Sequence, residues 1–201
     1  MITEIPSKGE RTRQIIRETA YALILKQGYA ATSMRQIAEQ SGMALGSIYN
    51  HFSSKEAIFE DILMVYHPYH MVIPLLNSVP GDTPEEFIRS AARAMVDSLQ
   101  ENPAFLNLML IEFVEFKGVH TSRIFSMIFP QILQVVSRLD RFRGKMRPIP
   151  GPILMRAFIS LFFAYFFTQI ALSGDAPAEL NHNSFESFVD IFLHGVLIPD
   201  A

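Results

Sequence analysis

The sequence predicts an all-α fold of about nine helices, a small three-helix N-terminal domain followed by a larger helical one. Three observations predict it. Apolar residues recur at helical spacing through nearly the whole chain, and no run alternates apolar with polar as a half-buried strand would. Breaks bearing proline and glycine, such as "VPGDTP" (79–84) and "PIPGP" (148–152), separate the longer runs. Hydrophobic residues make up 49% of the 201 and charged residues 18%, a balance that fills a core rather than a disordered coil.

Taken in order, "RTRQIIRETAYALILKQG" puts Ile16, Ala20, Leu23 and Ile24 on one face, with Gly28 where a helix-ending glycine belongs. Two short helices are expected at 34–41 and 45–51. A fourth starts within "SSKEAIFEDILMVYH", with Ser53 and Glu56 read as its capping box, and Pro68 kinks or ends it. "VPGDTP" (79–84) is the clearest linker, and helices follow at about 84–101, 103–117, 121–143, 151–173 and 184–197. Pro103, Gly118, "PIPGP" (148–152) and "SGDAP" (173–177) divide them. The functional domains are expected at 1–55 and 56–201, with the helix from about residue 54 joining them. "AFISLFFAYFFTQIAL" (157–172) falls short of the ~20 apolar residues of a membrane span, and Thr168 and Gln169 interrupt it. It reads as a buried helix, and no membrane partner is expected.

Composition narrows the chemistry. With no cysteine there is no disulfide or thiolate chemistry, and no apolar leader opens the sequence, so a cytoplasmic location is expected. His67, His70 and His120 do not follow a zinc-ligand spacing. No phosphate loop, nucleophile elbow or metalloprotease signature is present, so neither enzyme activity nor a cofactor is expected. Charge is uneven. Residues 1–55 carry seven Lys and Arg against four Asp and Glu, whereas 56–201 carry ten against sixteen. A basic end on an acidic body suits a polyanionic partner. The basic run "RFRGKMR" (141–147) reads as a solvated loop.

The segment "TSMRQIAEQSGMALGSIYNHFSSKEAIF" (32–59) is the most informative. Ser33 and Gln36 stand at capping-box spacing, so hydroxyl and amide satisfy N–H groups at a helix start. Ala38 is small enough for a second helix to approach its backbone. Gly42 can take the left-handed conformation that a three- or four-residue turn demands. Ile37 and Ile48 then bury apolar mass between the helices. This is the pattern of a helix-turn-helix, whose second helix enters the major groove of DNA.

From the first helix through "GYAATSMRQIAEQSGMALGSIYNHFSSKEAIF", the chain closely resembles the DNA-binding domain of the TetR family of bacterial transcriptional regulators, over about residues 10–64. The resemblance implies that Thr32 and Ser33 touch phosphate and that Arg35 reaches a guanine edge. It implies that Ala44, Leu45, Gly46 and Ser47 face the groove, and that Tyr49, Asn50, His51 and Lys55 contact phosphate or base. Leu45 and Asn50 depart from the family, which often has a long polar or basic residue at the first position and an aromatic at the second. Leu45 offers only apolar contact, so base reading is expected to lean on Arg35, Ser47 and DNA shape.

The resemblance also implies a homodimer built from the last two helices, with Phe185, Phe188, Ile191, Phe192 and Val196 as candidate interface residues. It implies a small-molecule effector pocket, for which Met109, Phe113, Phe116, Phe125, Met127 and Phe162 are candidates. Glu112 and Glu115 interrupt an apolar helix; either they orient a polar ligand or they face water, and water is the simpler expectation. The function expected is a ligand-responsive dimeric regulator, a repressor released from a palindromic double-stranded operator by a small apolar or amphipathic effector. The alternative is an architectural DNA-binding protein with a filled C-terminal domain and no effector.

Overall fold

Residues 7–172 and 184–198 are described by a computed structural model. Among them are ten α-helices: α1 (Lys8–Gln27), α2 (Met34–Gln40), α3 (Leu45–Tyr49), α4 (Lys55–Tyr66), α5 (Tyr69–Ser78), α6 (Pro84–Glu101), α7 (Ala104–Phe116), α8 (Val119–Leu139), α9 (Gly151–Ala171) and α10 (Ser184–Val196). Residues Asp140–Lys145 tighten into a 3-10 turn, so the helix expected to run to 143 ends at Leu139. No strand forms among the described residues, and Met146 and Leu197 meet only in an isolated antiparallel bridge. The expected divider "SGDAP" lies outside the described residues.

The chain packs as two units, one of Met1–His67 and Asn107–Ile124, the other of Pro68–Leu106 and Phe125–Ala201. In the first, α1 opens on a capping box between Ser7 and Glu10 and buries Ile16, Ala20, Leu23 and Ile24, the face expected from their spacing. It packs on α4, which buries Ile58, Phe59, Ile62 and Leu63. Asp61 of α4 accepts from Arg13 at 2.7 Å and from Arg17 at 3.0 Å, tying the two helices together. The cap of α4 is Ser54, whose Oγ accepts from the Ala57 N–H, not the expected Ser53 with Glu56. That expectation misplaced the helix start by one residue. Pro68 does end α4.

Residues of the α7–α8 turn complete this unit. The Phe116 ring stacks on Phe59 at 5.0 Å, Tyr29 meets both rings edge-on, and Arg123 pairs with Glu60. Glu112, expected to face water, is fully buried instead. Its carboxylate accepts from the backbone N–H groups of His120 (2.7 Å) and Thr121 (3.0 Å) and sits 2.8 Å from His120 Nδ1. Buried acceptors need such partners, and the first N–H groups of α8 have none within their own helix.

In the second unit, α5 is a helix beyond those expected from the sequence. Pro68 precedes the helix and Pro74 lies inside it, while Val72, Ile73 and Leu76 are buried. Arg138 donates to the Leu76 and Val79 carbonyls at the C-terminal end of α5. The start of α6 is a capping box of Thr83 and Glu86 with Pro84 in the first turn. This helix packs on α5, α9 and α10. Arg89 reaches Glu186 at 2.7 Å and Asp190 at 2.6 Å, fastening α6 to α10. By length and composition α9 could cross a membrane, yet it buries Leu154, Met155, Phe158, Phe162, Tyr165 and Phe166 within this unit. At Gly151 a Cβ would lie 2.2 Å from Val136 Cγ1, so a larger residue there would displace that side chain.

Candidate nucleic-acid interface

The bend between α2 and α3 is set by backbone chemistry. Gly42 sits at φ +68°, and the Met43 N–H returns to the Ala38 carbonyl at 2.9 Å. Ser33 and Gln36 form the expected capping box. Ile37, Ala38 and Ile48 are buried, so the two short helices are held by packing rather than by their own stability. Arg13 adds a second anchor. Its guanidinium lies 4.2 Å over the Phe52 ring and donates to the His51 carbonyl at 3.2 Å.

With Ile48 inward, the opposite face of α3 is free. Leu45 is 40% exposed and Tyr49 52%, and Ala44, Gly46 and Asn50 are exposed beside them. Ser47 and His51 are half-buried. Arg35 on α2 is exposed, with no hydrogen bond or ion pair among the described residues. The surface thus offers a short helix with an aromatic hydroxyl, an amide and a nearby guanidinium, chemistry suited to phosphate and base edges.

Two expected contacts have other partners. Thr32 is 2% exposed, and its hydroxyl donates to the Gly28 carbonyl at 2.9 Å. The tight turn after α1 turns the hydroxyl back onto the chain. Lys55 Nζ donates to the Tyr29 carbonyl at 2.7 Å and lies 4.0 Å over the Tyr29 ring. Burial lowers the Lys55 pKa, with Glu115 acting the other way. Burial, and then Glu56 and Glu115, push the Tyr29 phenol up to about 12.

A family model described as "Bacterial regulatory proteins, tetR family" matches residues 16–62, the stretch that builds this surface. Over those residues the chain is of the TetR-family type. The uncharacterized HTH-type transcriptional regulator YuxN of Bacillus subtilis is 29% identical over 99 residues, 49% of this chain and 34% of that protein. The chain spans about a third of the length of the first curated relatives it matches. The TetR fold extends further than the sequence likeness. NalD of Pseudomonas aeruginosa, the secondary repressor of the MexAB-OprM multidrug efflux pump, superimposes with a TM-score of 0.67 at 22% identity, covering 94% of this chain and 98% of NalD. A SmeT–triclosan complex superimposes at 0.65 with 18% identity, covering 94% of this chain and 92% of SmeT.

The effector and dimer candidates are dispersed. Met109, Phe113 and Phe116 belong to the first unit, and Phe125, Met127 and Phe162 to the second. Phe113 and Met127 are exposed, Phe116 is engaged with Phe59, and Phe162 is buried among Phe158, Phe185 and Phe192. Of the six, Phe125 lines a groove of about 550 Å³. Of the interface candidates, Phe192 and Val196 are buried within their own unit, Phe185 and Phe188 are half-buried, and Ile191 is 65% exposed. Spacing put all five on or near one face, but α10 turns that face partly onto α9. Among the described residues no cluster of three or more metal-ligating side chains occurs.

Proposed function

We propose that the chain is a cytoplasmic, dimeric DNA-binding transcriptional regulator, a repressor that leaves a palindromic operator when a small apolar or amphipathic effector binds. The observation that carries this reading is α3, anchored by Ile48 and open on the face bearing Leu45, Tyr49 and Asn50. One such helix reads only a few base pairs, so a second copy about one helical turn of DNA away supplies the other half-site. In this reading Arg35 contacts a base, Ser33, Tyr49 and Asn50 hold the backbone, and Lys55 adds positive charge beside Tyr29.

Pairing of two copies is supported by apolar side chains left exposed on α9 and α10, Phe167, Ile170 and Ile191. The repressor sign is supported by the role of NalD as a secondary repressor, and a small-molecule effector by the SmeT–triclosan complex. The lever is α4. Phe116 and Arg123 grip its Phe59 and Glu60, while its Asp61 holds Arg13 and Arg17 of α1. Moving the DNA-bound population from 99:1 to 1:99 requires an effector that prefers the released state by about 10⁴-fold.

Selection of bound duplexes from a random pool, followed by a compound screen for release, tests the reading. Enrichment of a two-fold symmetric sequence, and its release by a compound, is the expected result. Recovery of unenriched sequence would favour the architectural alternative.

A further inference from the structure

The interior beneath Leu76, Phe87, Phe158 and Phe192 is almost filled, with a cavity of only about 20 Å³. That is room for about one water. The groove of about 550 Å³ is different. Its volume falls within the ~300–1,000 Å³ of small-molecule sites. Three elements of the second unit frame it. Helix α8 contributes Phe125, Phe129 and Ile132, successive turns of one face; α9 contributes Ile153, Met155, Arg156, Ile159 and Ser160; α5 contributes Tyr69.

The lining is apolar except at one end of the chemistry. Arg156 is exposed and has no hydrogen bond or ion pair among the described residues. Ser160 lies one turn further along α9, so guanidinium and hydroxyl share a helix edge. Burial raises the Tyr69 phenol above its ordinary range. A single unpaired cation beside two phenylalanine rings and two isoleucines is complementary to one negative charge on a hydrocarbon body. A guanidinium can meet a carboxylate with two parallel hydrogen bonds.

We propose that this groove takes a small amphipathic acid, its carboxylate on Arg156 and its hydrocarbon tail against Phe125, Phe129, Ile132 and Ile159. The proposal rests on the effector reading above and names the class of that effector. It excludes a purely apolar ligand as the preferred one, because such a ligand leaves Arg156 unused.

Calorimetric titration of the full chain without DNA tests it, using dodecanoate and dodecanol below their aggregation limits. Dodecanoate is expected to bind about three- to fivefold more tightly than dodecanol, the range an exposed Arg–carboxylate pair supplies. Arg156→Gln should equalise the two ligands, Arg156→Lys should keep most of the difference, and Phe125→Asp should weaken both. Circular dichroism of each variant confirms that it is folded. Equal affinity in the native chain, an acid preference that survives Arg156→Gln, or no binding of either ligand would overturn the proposal. Because no DNA is present, such a result leaves the operator-binding reading to its own duplex selection.

Discussion

The Glu112 carboxylate lies 2.8 Å from His120 Nδ1, and both residues are buried at the turn between α7 and α8. Replacing Glu112 by alanine removes the acceptor for two backbone N–H groups and an imidazole at once. Stranding such donors costs about 3 kcal/mol. Urea unfolding should show that loss as a lower midpoint, and an unchanged midpoint would mean the turn is held by its rings alone.

Asp61 joins α1 to α4 through Arg13 and Arg17. Arg13 also supports Phe52 and the His51 carbonyl, just beyond α3. Asp61→Ala should therefore cost about 1 kcal/mol in stability, because these pairs are partly solvated. It should also weaken DNA binding, since the end of α3 loses its brace. Titration of a selected duplex against both chains checks the second part.

At Gly42 an added Cβ meets nothing within 4 Å, so the space is open and the penalty is conformational. At φ +68° a Gly42→Ala chain should lose about 1 kcal/mol. Calorimetric melting reads this directly. A larger loss would imply that the bend itself had shifted.

Tyr29 should titrate near 12 rather than 10 in the folded chain. Its raised pKa means the neutral phenol is favoured by the fold. That contribution is fully present below pH 10 and is lost as pH rises toward 12. Phenolate absorbance followed against pH, compared with a Tyr29→Phe chain, isolates the step. A Tyr29 transition centred at 10 would contradict the packing of its half-buried ring edge-on to Phe59 and Phe116.

Local signals were legible in the sequence and long-range ones were not. The Ser33–Gln36 cap, the Gly42 bend, the Ile16-to-Ile24 stripe and the stop at Pro68 all act within a few residues, and each was readable from spacing. Ser54 rather than Ser53 caps α4 because two adjacent serines offer the same hydroxyl, and only backbone geometry chooses between them. Glu112 looked like a solvated carboxylate on an apolar helix; its partners arrive only when the chain reverses at Gly118. Phe116 and Phe162 are pocket candidates only by resemblance, and packing against Phe59 and Phe158 engages both rings. Arg156 had no local pattern to mark it. Its significance comes from facing Phe125 and Phe129 across a groove that no sequence window spans.

The central claim is that the exposed edge of the α2–α3 pair reads DNA sequence, and Arg35→Ala tests it most directly. Affinity of native and variant chains is measured on the selected operator and on a scrambled duplex at one salt concentration. The account predicts a loss of about 1–3 kcal/mol on the operator and a much smaller one on the scrambled duplex. Equal losses on both duplexes would contradict it.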